Sequence, residues 1–150
     1  MYHGDFRPIN IMLTEEGLVK FSDVFLLSSL RNGYSKTLSQ EGRCYLSPDQ
    51  MSAFSRKEQY PLINEYKSDV FSLGITLLYA SNFLRPNTNY YDWMNLRVNE
   101  RTIQDSIRDL SLRYSSSWKE LLESMLNITE CYRPDFCALY PLSVRKYCYY

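Results

Sequence analysis

The first third of the chain alternates short apolar runs with turn residues, and the rest carries apolar positions at helical spacing. Ile9-Asn10-Ile11-Met12-Leu13 is a short β-prone run. Glu15-Glu16-Gly17 makes a turn, and Leu18-Val19-Lys20-Phe21 is a second run. Two such runs around a glycine turn predict a hairpin. Leu30 to Gly42 is polar, with Asn32-Gly33 as a turn signal, and reads as an exposed loop. Ser47-Pro48-Asp49-Gln50 then looks like a helix start, with serine as the cap and proline just inside. Ser68-Asp69 opens a longer helix reaching about Phe83. Its apolar residues, among them Val70, Phe71, Leu73, Ile75, Leu77 and Leu78, surround the axis, which predicts a central, buried helix. Amphipathic helices are expected over Asn99 to Leu112 (Ile103, Ile107, Leu110 inward) and Ser115 to Asn127 (Trp118, Leu121, Leu122, Met125, Leu126 inward). Pro134-Asp135 begins a last helix, and the tail from Lys146 is expected to fray. Ser52 to Asn64 is polar and reads as a solvated extension.

The pattern therefore predicts a mainly α body, with a short β-hairpin near the N-terminus and a helical bundle around one central buried helix. Composition narrows this further. The 150 residues suit one domain, and 17 Lys+Arg balance 17 Asp+Glu. Zero net charge argues against a nucleic-acid binder that works by neutralising phosphates. The longest apolar run, Phe136 to Tyr140, is far below the roughly 20 residues of a membrane helix. Met1 to Asp5 lacks the basic and apolar stretches of a secretory signal, so an intracellular, cytoplasmic protein with no membrane partner is expected. Cys44, Cys131, Cys137 and Cys148 have no CxxC spacing and the chain has 1 histidine, which disfavours a zinc site and suits reduced thiols.

The segments with chemistry lie in order. Tyr2-His3-Gly4-Asp5-Phe6-Arg7-Pro8-Ile9-Asn10 offers a carboxylate, a base and an amide at close spacing. Lys20-Phe21-Ser22-Asp23-Val24-Phe25 brings a second carboxylate 18 residues after Asp5. Cys44-Tyr45-Leu46-Ser47-Pro48-Asp49, then Lys67-Ser68-Asp69-Val70-Phe71-Ser72-Leu73-Gly74, then Cys131-Tyr132-Arg133-Pro134-Asp135 complete the series. Together they resemble the catalytic loop, D-F-G, A-P-E, D-x-W-S-x-G and R-P segments of eukaryotic protein kinases, with the serine/threonine branch favoured by Arg7-Pro8.

That resemblance implies a protein-kinase-like C-lobe over residues 1–150, from the catalytic loop to the final helix. It implies ATP and Mg²⁺ as cofactors and a protein as substrate or partner. Asp5 would orient the attacking hydroxyl and Arg7 would clamp phosphate. Asn10 and Asp23 would be the metal ligands that bind the cofactor. His3 would be a packing and hydrogen-bonding residue, and Asp49 would pair with Arg133. Asp69 would accept backbone N–H groups of the catalytic loop; a plain helix N-cap is the alternative.

The chain also departs from the family pattern. The resemblance leads one to expect an N-lobe with a Gly-rich loop and a lysine before Asp5; neither stands before Asp5 in these 150 residues, nor do they hold any G-x-G-x-x-G, as in a piece of a longer protein. Gly4 replaces the arginine of H-R-D, and Val24-Phe25 replaces Phe-Gly. Loss of the helix before the catalytic loop is expected to uncover apolar surface on the central helix. Two functions follow as expectations: an ATP-dependent serine/threonine-type kinase domain, inactive as the isolated piece, or a pseudokinase-like interaction module without catalysis.

Overall fold

The structure is a computed structural model that describes residues 2–4, 6–22, 45–82, 89–110 and 112–140. The polar loop from Leu30 to Gly42 and the terminal Lys146 to Tyr150 lie outside these residues.

Pro8 opens a single 3-10 turn, Pro8–Asn10, in which the Ile11 N–H donates to the Pro8 carbonyl. The run from Ile9 is thus strand only from Ile11 on, because proline presets a helical φ and lacks the donor a strand needs. β1 (Ile11–Leu13) pairs antiparallel with β2 (Val19–Phe21), Ile11 lying opposite Phe21 and Leu13 opposite Val19. Gly17 takes φ +80° in the connecting turn, where Thr14 N–H donates to the Leu18 carbonyl at 2.8 Å. Glycine alone reaches that φ without steric cost.

The predicted Ser47 cap of α1 (Pro48–Ser55) is present, and Gln50 completes it as a capping box. Gln50 N–H donates to Ser47 Oγ at 3.2 Å, while Ser47 N–H donates to Gln50 Oε1 at 2.9 Å. α2 (Glu65–Ser81) starts a turn earlier than Ser68-Asp69. Its cap is Asn64, whose Oδ1 accepts from Lys67 N–H at 3.2 Å. Asparagine is as strong a cap as serine or aspartate, and Glu65 suits the first turn's dipole. Asp69 therefore lies inside the helix, not at its cap. A small hairpin follows that the pattern did not predict: β3 (Tyr91–Asp92) pairs with β4 (Arg97–Val98). Strands of 2 residues are too short to show alternation. α3 (Glu100–Leu110), α4 (Ser116–Met125), a 3-10 turn (Glu130–Tyr132) and a helical stretch at 136–140 complete the described chain.

α2 is the central element. Its Phe71, Ile75 and Leu78 pack with Ile103, Ile107 and Leu110 of α3 and with Leu122 of α4. Val70, Leu73 and Leu77 turn to another face at 100° per residue, where Met125, Phe136 and Leu139 meet them. The uncovered apolar surface expected on this helix is not there. Tyr66 is its only exposed large apolar side chain. The exposure sits instead on the first hairpin, where Met12, Leu13, Leu18, Val19 and Phe21 face solvent.

α2 and α4 approach closely at Gly74. A Cβ there would lie 2.9 Å from Leu126 Cδ2 and 3.1 Å from Met125 Cβ. Gly74→Val is expected to destabilise by about 1–3 kcal/mol through overpacking. Urea denaturation measures this, and an unchanged midpoint would show that α4 moves away freely.

Candidate active site

The polar loop from His3 to Asn10 sits over the middle and N-terminal turns of α2. Asp69 does most of the holding: its two carboxylate oxygens accept the N–H groups of His3 and Gly4, the second at 2.9 Å. Gly4 has φ +80°, a conformation in which any side chain is strained. Two turns along the same helix face, Thr76 Oγ1 donates to the Phe6 carbonyl at 3.4 Å. The Phe6 ring stacks on His3 at 4.5 Å and meets Phe21 and Phe136 edge-on. Arg7 and Asn10 are buried, and Asn10 N–H closes on the Arg7 carbonyl at 2.9 Å.

The end of β2 is tied to the same loop from two directions. Ser22 N–H donates to the Asn10 carbonyl at 2.9 Å, and the Ser22 carbonyl accepts from His3 Nε2 at 2.9 Å. That contact puts the ring proton on Nε2. Asp5 and Asp23 themselves lie outside the described residues. His3, Arg7, Asn10 and Asp69 are thus brought together.

Asp49 and Arg133 meet elsewhere, at the start of α2. Arg133 Nη2 donates to Asp49 Oδ2 at 2.9 Å, with the arginine side chain fully buried. Its remaining donors reach the carbonyls of Asn127 (2.9 Å), Lys67 (3.2 Å) and Ile128 (3.3 Å). The guanidinium also lies 5.1 Å from the Phe71 ring centroid. The two groups of site residues are linked through one stretch of helix. Lys67 accepts from Arg133, Ser68 Oγ meets Ser47 Oγ at 3.0 Å, and Asp69 holds the loop. The first two turns of α2 therefore join the catalytic-loop segment, the start of α1 and the Arg133 segment.

Sequence reasoning missed Thr76, Ser22 and Glu65. Thr76 stands seven residues after Asp69 and Glu65 four before it, so helical spacing from Asp69 was the available signal. Burial, and then the nearby Asp69 carboxylate, push Glu65 up to about 7. The sign follows from linkage: an acid with a raised folded-state pKa stabilises the native state below its unfolded value near 4.5. That contribution disappears as pH rises through about 7. Glu65→Gln is therefore expected to raise the melting temperature at pH 8 and to leave it unchanged below pH 4.5. A gain of the same size at both ends would show that charge is not the cause.

A helical body around one buried helix, with a short hairpin and a polar loop clamped to that helix by a buried aspartate, is consistent with the C-lobe architecture of protein kinases. The family model for protein tyrosine and serine/threonine kinases matches residues 1–142, and the chain belongs to this family. A Caenorhabditis briggsae protein described as a membrane-associated tyrosine- and threonine-specific cdc2-inhibitory kinase, wee-1.3, is 31% identical over 93% of this chain. The dual specificity mitogen-activated protein kinase kinase sek-1 of Caenorhabditis elegans is 30% identical over 60% of the chain. The mitosis inhibitor protein kinase mik1 of Schizosaccharomyces pombe is 27% identical over 73%. These matches cover 19%, 25% and 17% of the three relatives, so the chain spans only a part of their length. Among the described residues, no helix is long and apolar enough to cross a membrane.

Proposed function

We propose that these residues form the C-lobe part, from catalytic loop to final helix, of an ATP- and Mg²⁺-dependent protein kinase domain that phosphorylates protein hydroxyls. The observation that carries this reading is the segment whose His3, Phe6, Arg7 and Asn10 are buried, clamped at its start by Asp69 and joined at its end to Ser22. Phosphoryl transfer is mostly positioning and electrostatics, so a rigid loop is the part such a site needs. Asp5 is assigned to orienting the attacking hydroxyl and Arg7 to steadying charge on the phosphate. Asn10 and Asp23 are assigned to Mg²⁺, for which an amide oxygen and a carboxylate are the right hard donors. The metal supplies charge neutralisation on the phosphates when bound. The arginine at position 7 and the following proline support serine or threonine as acceptor, although the relatives' names include tyrosine specificity.

ATP in this family lies between two lobes, so the 150 residues alone are expected to transfer phosphate negligibly. An N-lobe, from a longer chain or another protein, would complete the site. The exposed hairpin supports a second reading, a pseudokinase-like module that binds a protein through this face. Gly4 and Val24-Phe25 favour it too, since they alter the segments that switch and hold metal. An intracellular setting fits both.

Thermal unfolding with millimolar ATP and Mg²⁺ separates them. A ligand that binds only the native state raises the melting temperature by mass action. The kinase reading expects a rise that Asp23→Asn abolishes. No rise in a chain completed by an N-lobe would leave the interaction module as the function.

A further inference from the structure

A cavity of ≈ 540 Å³ opens at the N-terminal end of α2, and neither Arg7 nor Asn10 lines it. Its walls include Tyr2, Leu62, Ile63, Glu65, Tyr66 and Glu130. We infer that this cavity receives the guanidinium group of an arginine side chain from a partner protein.

The argument starts from what the cavity lacks. Glu65 is more than half removed from water and has a second carboxylate, Asp69, one helical turn away, yet makes no ion pair among the described residues. A desolvated carboxylate is costly without a cation. The cation nearest in sequence, Lys67, is turned to the carbonyls of Glu130 and Cys131 at 2.9 and 3.4 Å. The Tyr2 hydroxyl is buried and has no hydrogen-bond partner among the described residues. Burial, with Glu65 and Asp69 nearby, also raises its pKa, so it stays neutral and can accept a hydrogen bond.

The rest of the lining suits the same side chain. The Tyr2 and Tyr66 rings stand edge-to-face, 6.0 Å apart, and offer aromatic surface to a flat cation. Leu62 is fully exposed at the rim, where an aliphatic stem would cover it. Arginine fits better than lysine because its forked donors can serve Glu65 and the Tyr2 hydroxyl together, and because it sheds water more readily. An arginine seated here would also offset negative charge one turn before the Asp69 clamp. The inference does not depend on whether the loop transfers phosphate.

Among the described residues, four titratable groups lie around Glu65. They are Tyr2 from the N-terminal segment, Tyr66 and Asp69 on its own helix, and Glu130 from the 3-10 turn.

The test uses the full 150-residue chain, with N-acetyl-arginine methylamide as the probe and its citrulline counterpart as the neutral isostere. Amide and tyrosine-ring NMR shifts report binding at pH 8 and pH 6. The expected result is saturable shifts at Tyr2, Glu65 and Tyr66 from the arginine probe, and none from citrulline. Affinity should fall about tenfold from pH 8 to pH 6, because the ionised fraction of Glu65 falls by that factor around its pKa. Glu65→Gln should remove the shifts while the remaining spectrum stays dispersed, and Tyr2→Phe should weaken them. Equal shifts from citrulline, pH-independent affinity, shifts confined to other surfaces, or no shifts at tens of millimolar probe would each overturn the inference. So would a folded Glu65→Gln chain that binds like the parent. If that variant does not fold, the pH and citrulline comparisons on the unchanged chain decide the matter.

Discussion

Replacing Arg133 with methionine should cost about 3–5 kcal/mol of stability, the expected loss when one member of a buried ion pair is removed. The size follows from the number of groups left behind. Arg133 serves Asp49 and the carbonyls of Lys67, Asn127 and Ile128, and lies over Phe71. Methionine fills much of the volume but satisfies none of these acceptors. Asp49→Ala should cost less, because Asp49 is partly exposed at 24% and Arg133 keeps its three carbonyls. Urea denaturation of the two variants gives both values. A loss below about 1 kcal/mol for Arg133→Met would mean the carbonyls find water and the pair is not central to the fold.

Asp69→Asn is expected to be nearly as damaging, for a different reason. Asparagine is the same size but presents one acceptor oxygen and an NH₂ group where Asp69 presents two acceptors to His3 and Gly4. One backbone N–H loses its partner and faces a donor. Hydrogen bonds to a charged group contribute about 1.5–3 kcal/mol, so a loss of about 2–3 kcal/mol is expected. The effect should also be local. Amide hydrogen exchange at His3 and Gly4 should quicken far more than in α3 or α4, since the loop opens before the core does. Uniform acceleration throughout the chain would place the role of Asp69 in global stability alone.

The helices were legible because each carries its own instructions. The Ser47 capping box, the spacing of Ile103, Ile107 and Leu110, and the Ser115 cap are all local signals, and each element formed close to where they placed it. Asn64 shows where such reading slips. It is as good a cap as Ser68, so residue type alone does not decide between them. The β3 and β4 pair was invisible for a related reason. Its strands are too short for a period, and it is held by tertiary contacts such as the Tyr91 hydroxyl donating to the Leu46 carbonyl at 3.0 Å.

The family was legible in the sequence alone, as were the candidate site residues, because motif order and spacing are properties of the chain. His3, Arg7, Asn10, Asp49, Asp69 and Arg133 could all be named from it. What tertiary structure decided is which of them touch. Asp69 reaches the loop across 66 residues, and Arg133 reaches Asp49 across 84. It also decided that Glu65 would lie half-buried beside Asp69, and that apolar surface would remain exposed on the first hairpin and not on α2. Burial and pKa depend on what the rest of the chain brings alongside a residue. Periodicity records only which face a residue occupies, and the groups packed against that face come from distant sequence.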